Sequence, residues 1–282
     1  MTDFAIDLTR RPGLAEELGF PLGMPHLTAQ GLSEAWLLRR AAHLHWGAVA
    51  ARAGCAPAAL RDRTGARAMA SIVSARISGA LDAFCEDMTV RLDMTQPPSP
   101  ANGWHSRLLL RGTGTSCRPS VSVELVSRFA RRGGPSNRQI EAAEMAPDMT
   151  APDAARLPRA AQVMRARSRS MRRAAPEGGS PIARVAVLPE VDLNGVGLLY
   201  FASFLRFFAA AESAALPGPW RVPAPCLREI HWYGNADAGD WIELTCELHV
   251  SRTTPISIHA STCARRASDG VLVACCETTR GG

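Results

Sequence analysis

Aromatic side chains make up only 6% of the 282 residues, and just two of them are tyrosines, Tyr200 and Tyr233. The first two thirds of the chain therefore offer no phenol to chemistry. Lysine is absent, so arginine carries all the basic side-chain charge apart from histidine. None of the eight cysteines forms a CxxC pair, which argues against a zinc cage and against a disulfide framework. Neither GxGxxG nor GxxxxGK[ST] occurs, so nucleotide loops of those kinds are excluded. HExxH and GxSxG are missing as well. No metal site is predicted. No uninterrupted apolar run reaches the roughly 18 to 20 residues that cross a bilayer. Val196 to Ala211 comes nearest, but Ser203 and Arg206 interrupt it. Met1 to Arg11 holds two acids and no apolar centre, which predicts no signal peptide and a cytoplasmic chain with reduced thiols.

What is present is ordinary in bulk: 46% hydrophobic and 21% charged residues, with a net charge of +6. The length suits one large domain or two ordinary ones. Much of the positive charge sits at Arg165, Arg167, Arg169, Arg172 and Arg173, with no aromatic residue among them. That pattern argues against nucleic acid as the partner. It fits a basic linker, or a docking surface for an acidic partner such as an acyl carrier protein or the phosphates of coenzyme A.

One pattern occurs twice: a polar, glycine-bearing lead, a long apolar helix, then alternating strands. The first copy opens at Gly31-Leu32-Ser33-Glu34, and its helix runs on to Gly54, a stop signal. Ser33 is placed to cap it, although the capping box is incomplete. Strands are expected at 67–77, 87–94, 107–111 and 120–130. The second copy has a short strand at 184–188, the lead Asp192-Leu193-Asn194-Gly195, and a helix expected over Val196 to Ala211. Strands follow at 227–233, 241–250, 256–263 and 271–278. The 241–250 strand alternates most cleanly, Ile242, Leu244, Cys246, Leu248 and Val250 against Glu243, Thr245, Glu247 and His249. Between the copies, 132–182 is rich in Pro, Ala, Arg, Gly and Ser, and reads as a linker with one short helix near 160–173. The expected organisation is an irregular lead-in at 1–24, one domain at 25–131, the linker at 132–182 and a second domain at 183–282. A helix apolar nearly all round must be buried on most faces. An antiparallel sheet wrapped around such a helix, made twice, is an α+β double hot-dog fold.

A helix start presents free N–H groups and the positive end of a dipole, suited to a thioester carbonyl that gathers negative charge. Glycine there permits close approach of a substrate. Gly31 and Gly195 fit that use, and Asn194 could donate to a carbonyl or carboxylate. Equally, Asp192 and Asn194 could only cap and close a turn. His26, Ser33 and Glu34 could form a polar cluster with His26 as base or donor. Equally, Ser33 caps and Glu34 faces water. His43 and His45 lack metal spacing, and a lone histidine on an apolar helix reads as structural. His231, His249 and His259 show no partner in the sequence.

Gly23-Met24-Pro25-His26-Leu27, Gly31-Leu32-Ser33-Glu34, Trp36-Leu37-Leu38 and His45-Trp46 together resemble the start of the bifunctional acyltransferase/decarboxylase of leinamycin biosynthesis and its relatives, double hot-dog proteins of polyketide gene clusters. Asn194-Gly195-Val196-Gly197-Leu198-Leu199-Tyr200-Phe201-Ala202 resembles the same group. The resemblance spans roughly Met24 to Thr279. It implies transfer of a methylmalonyl group from coenzyme A to a carrier-protein phosphopantetheine, with decarboxylation, and no metal or organic cofactor. With it, His26, Ser33 and Asn194 become the catalytic candidates, and Gly31, Leu32, Glu34, Met69, Ser71, Asp192, Gly195 and Tyr200 the substrate-binding ones. Acyl-CoA and acyl carrier protein are the implied partners, with a homodimer as a further expectation and no membrane. The chain departs from the family at its acyl-accepting tyrosine, on an early strand of the first half. Gly65 to Ser74 reads GARAMASIVS, with Met69 near the tyrosine's place. A thioether cannot accept an acyl group in that way. Ser71 or Ser74 could substitute. A thioesterase or dehydratase-like enzyme, or a silent module that binds acyl thioesters or a carrier protein, are the alternatives.

Overall fold

The computed structural model describes residues 14–96, 103–113, 119–145, 157–216, 223–251 and 257–281. The described residues fall into two compact units that interleave along the chain. The first draws on Met1–Ile72, Ile77–Arg131 and Ala142–Gln162, and the second on Val73–Arg76, Arg132–Glu141 and Val163–Gly282.

In the first unit, β1 (Leu14–Pro21), β5 (Thr89–Thr95), β6 (Trp104–Thr113), β7 (Ser120–Arg132) and β4 (Met69–Gly79), whose Val73–Arg76 belongs to the second unit, lie in that order in an antiparallel sheet. A two-strand ribbon, β2 (Leu27–Thr28) with β3 (Gly31–Leu32), leads into α1 (Glu34–Arg52). The alternation expected at 87–94 holds: Val90, Leu92 and Met94 are all buried. α1 lays Val49 among Ala68, Ala70, Trp104 and Phe129 of the sheet side. The irregular lead-in expected for 1–24 is corrected by β1, which pairs with β5 from Leu14↔Thr95 to Pro21↔Thr89. Its pairing is set by a strand roughly 70 to 80 residues away in the chain, and the glycines and prolines around it break the local strand pattern. The segment of the expected lead-in before residue 14 lies outside the described residues.

In the second unit, β10 (Pro225–Trp232), β13 (Leu272–Arg280), β12 (Ser257–Arg266), β11 (Trp241–Ser251) and β9 (Ala183–Ala186) form the sheet in that order. α4 (Phe204–Ala215) packs on one face. It buries Phe204, Leu205, Phe207, Phe208 and Ala211, and Phe204 meets Trp232 of β10 edge-on. α2 (Arg159–Ala174) fulfils the short helix expected in the Pro/Ala/Arg-rich stretch. Its Met171, with Ala175 beyond its end, packs on Cys263 of β12 and Cys275 of β13. Strand side chains alternate. Cys276, Thr278 and Arg280 therefore look toward α4, while Cys275 and Glu277 look toward α2. The stretch 132–141 is also built into this unit: buried Asn137 donates to Gly197 O at 2.7 Å and to Ala236 O at 3.1 Å. β8 (Ile140–Ala142) follows it.

The helix expected over Val196 to Ala211 begins eight residues later. α3 (Pro189–Asp192) ends at a turn, residues 201–203 make one 3-10 turn, and α4 starts only at Phe204. Asn194 is the cause. Its Oδ1 accepts the N–H groups of Val196 (3.1 Å) and Leu198 (3.0 Å), and Gly197 turns at φ +75°. These local bonds hold the backbone out of the helix in spite of its apolar side chains. No helix among the described residues is long and apolar enough to cross a membrane.

Candidate active site

The sequence-selected residues fall into three places. His26, Gly31, Leu32, Ser33 and Glu34 gather at the start of α1. Ser33 is its N-cap, accepting Trp36 N–H at 3.2 Å, and its own N–H donates to His26 O at 2.9 Å. His26 Nδ1 accepts Gly23 N–H at 2.8 Å, and its ring stands edge-on to Trp36, with centroids 4.8 Å apart. That nitrogen and that ring face are occupied in bracing the helix start. Gly31 sits at φ +99°, and a Cβ there would lie 2.6 Å from Asp82 Cα. Neighbouring backbone, and not open space for a substrate, demands the glycine here. Leu32 is buried and Glu34 half-buried.

Asp192, Asn194, Gly195 and Tyr200 gather ahead of α4. The Asp192 carboxylate is fully buried. It accepts Leu188 N–H at 2.8 Å and forms an ion pair with Arg206 of α4. The Asp192 carbonyl accepts Tyr200 N–H at 2.7 Å and the Ser203 hydroxyl at 3.2 Å. Asn194 closes the turn described above, Gly195 is exposed with open space beside it, and the Tyr200 ring leans on Phe201. This corner is held by its own polar atoms, which is the capping-and-turn reading of Asp192 and Asn194. The amides of Gly195 and its neighbours belong to this turn and not to a helix start.

The third place is β4. Met69 and Ser71 are half-buried on it. Three residues beyond Ser71 comes an arrangement the sequence did not disclose. Ser74 Oγ lies 2.8 Å from His231 Nδ1, and His231 Nε2 lies 3.1 Å from Glu229 Oε1. Ser74 is 1% exposed and His231 0%, whereas the Glu229 side chain keeps 14%. The Glu229 oxygen is off the direction a ring N–H needs, so this contact is charge proximity without a hydrogen bond. It still favours a proton on Nε2, which leaves the Nδ1 lone pair free to accept the Ser74 hydroxyl. Glu229 and His231 are two apart on β10 and share a face. That spacing by itself marks no site. Their partner Ser74 is 157 residues distant, and no local spacing could reveal it. The face is the one α2 covers: Arg167 of α2 pairs with Glu277, which stands opposite Glu229 across β10 and β13. The Arg167 guanidinium is held above its usual range by the hydrogen bond and charge of Glu277, with a further contribution from Glu229.

Two other buried polar clusters have no nucleophile–base–acid order. His45 of α1 bonds Ser106 through Nδ1 (2.6 Å) and Ser127 through Nε2 (2.7 Å). Burial, with the charge of His105 adding to it, drives its pKa down to about 3, so it stays neutral. Glu212 of α4 meets Arg228 at 2.8 Å, Arg280 at 2.7 Å and the Thr278 hydroxyl at 2.7 Å. Burial alone would raise the Glu212 carboxyl, but the two arginine charges and the hydrogen bonds outweigh it and hold the pKa below the ordinary value. No group of three or more His, Cys, Asp or Glu among the described residues could hold a metal ion.

No protein-family model matches the chain, and no curated protein matches it in sequence. Solved structures do match it in fold. An oleoyl thioesterase of Lactobacillus plantarum superposes with a TM-score of 0.68 at 11% identity, covering 96% of each chain. An acyl-ACP thioesterase of Bacteroides thetaiotaomicron gives 0.59 at 7% identity, over 95% of this chain and 98% of its own. The 12:0-ACP thioesterase of Umbellularia californica gives 0.57 at 10% identity, again over 95% and 98%. A large antiparallel sheet with helix packed against it, and fold matches across nearly the full length of thioesterases, establish the α+β hot-dog fold for this chain.

Proposed function

We propose that this protein cleaves acyl thioesters through an acyl ester on Ser74. The observation that carries the reading is the Ser74–His231–Glu229 row, in a fold shared with thioesterases. Ser74 Oγ attacks the thioester carbonyl carbon and its proton passes to His231 Nδ1. The tetrahedral adduct collapses, the C–S bond breaks, and the departing sulfur takes the proton from His231. Water, deprotonated by His231, then attacks the Ser74 ester; the adduct collapses, the bond to Ser74 Oγ breaks, His231 returns the proton to that oxygen, and the free acid leaves. Glu229 beside Nε2 stabilises the imidazolium in both halves. The hydroxyl is 1% exposed, so turnover requires that its cover open.

A second reading uses the same ester. If a carrier-protein pantetheine thiol replaces water, the product is a new thioester and the enzyme is an acyltransferase. What favours it is the position of Ser74, in the stretch where the resemblance puts the family's acceptor tyrosine. Methylmalonyl transfer with loss of carbon dioxide is the form that the leinamycin-type resemblance gives it.

The test is incubation with octanoyl-CoA and, separately, methylmalonyl-CoA, with and without carrier protein, read by intact mass and by thiol release. Acyl mass on the wild type and none on Ser74→Ala supports the ester. His231→Gln should lower turnover about 10²- to 10⁴-fold at unchanged melting temperature. Free acid identifies hydrolysis, acyl-carrier product identifies transfer, and carbon dioxide identifies decarboxylation. Full turnover by Ser74→Ala would remove the proposal.

A further inference from the structure

We infer that the outward face of α2 is a docking surface for the acidic helix of an acyl carrier protein. The inference rests on the acyl-thioester reading for its choice of partner. The observation is the composition and exposure of one helix. α2 has six arginines and no acidic residue in its sixteen positions. Two of the arginines are spent on the unit itself: Arg167 pairs with Glu277, and Arg172 lies over the Tyr233 ring, 5.5 Å from its centroid. Arg169 and Arg173 are exposed and meet no acidic side chain among the described residues. They border an open groove of about 540 Å³ whose other lining residues are Ala166, Ser170 and Ala174.

The geometry narrows the occupant. Ala166, Ser170 and Ala174 recur every four residues, a shallow floor that lets a second helix approach closely. Arg169 and Arg173 are one turn apart, about 6 Å between Cβ atoms, which is the spacing of carboxylates four apart on a facing helix. Guanidinium groups pair carboxylates in forked geometry. Two cations at one groove are too few for a nucleic-acid duplex, where several phosphates must be neutralised for useful affinity. An acidic helix that carries its acyl group on a pantetheine arm matches both the charge and the size. The surface also lies on the helix whose Arg167 reaches the Glu229–Glu277 pair, so a partner seated there stands beside the strand that holds His231.

The test is polarisation of a labelled octanoyl-carrier protein at low and high salt, with the full-length chain. Wild type should bind, and binding should weaken with salt. The double reversal R169E/R173E should weaken it about ten-fold or more, while R169K/R173K should bind nearly as wild type. Octanoyl-pantetheine, which has no protein part, is the second substrate. Its turnover should be equal in wild type and R169E/R173E. Equal carrier-protein binding by R169E/R173E and wild type, or no salt-sensitive binding by wild type, overturns the docking surface. Failure of wild type to cleave octanoyl-pantetheine strikes at the proposed function instead and leaves the binding result to judge the surface.

Discussion

The two units solve one packing problem in opposite ways. Each buries a polar side chain of its central helix against the sheet. In the first unit the buried group is His45, neutral and shared by two serine hydroxyls. In the second it is Glu212, ionised and shared by two arginines and a threonine. A buried group must either lose its charge or find counter-charges close by. His45 does the first, because the nearest ionisable group acting on it, His105, has the same sign when charged. Glu212 does the second, because β10 and β13 bring Arg228 and Arg280 onto its face. The same architecture thus tolerates either polarity at its centre, provided every partner is present.

The contrast breaks most readily at Glu212. Glu212→Ala leaves two guanidinium groups buried without an anion and should cost about 3–5 kcal/mol in guanidinium-chloride unfolding. Replacing Glu212, Arg228 and Arg280 together by methionine should recover much of that loss. Equal stability of Glu212→Ala and wild type would mean the network carries no charge. The pH dependence sharpens the contrast next. The folded pKa of His45, about 3, lies far below its ordinary 6.5, so the unfolded chain binds the extra proton. Its contribution is complete above about 6.5 and is lost as pH falls toward 3, by about 1.4 kcal/mol per pH unit within that window. Glu212 is also depressed, from 4.5, so its contribution is intact above 4.5 and is lost only as pH falls through its lower folded value. Hydrogen exchange between pH 7 and 5 should therefore show the first unit weakening before the second. His45→Gln should flatten that slope, and a slope that survives the substitution assigns the titration elsewhere.

Two smaller effects compare the helix starts. Asp192→Asn weakens the ion pair between buried Asp192 and half-exposed Arg206 of α4 and should cost about 1–3 kcal/mol, read as a lower urea midpoint. Ser33→Ala removes the cap of α1 and should cost about 1 kcal/mol, with Ser33→Thr restoring most of it. If Ser33→Ala instead lowers turnover with no change in midpoint, Ser33 serves chemistry and not the helix.

Legibility followed the range of each interaction. α1 was readable because its cap, its apolar spacing and its stop all lie within some twenty residues. β11 was readable by alternation, though burial holds at Ile242 and Leu244 and fades toward Val250 as the strand runs to the surface. α4 starts eight residues later than apolar periodicity places it, because that periodicity does not register an asparagine that bonds two amides ahead of it. The structural reading of His45 agrees with its burial. His231 shows no partner in the sequence because Ser74 is 157 residues distant and a carboxylate two positions away marks no site by itself.

The sequence alone determined what periodicity and composition encode: two helices that must be covered, strands with one apolar face, a stretch dense in arginine, and no tyrosine in the first half. Only the tertiary structure decided which polar groups meet. A hydroxyl, an imidazole and a carboxylate come together through pairing across more than 150 residues, and that distance along the chain leaves no mark on local spacing.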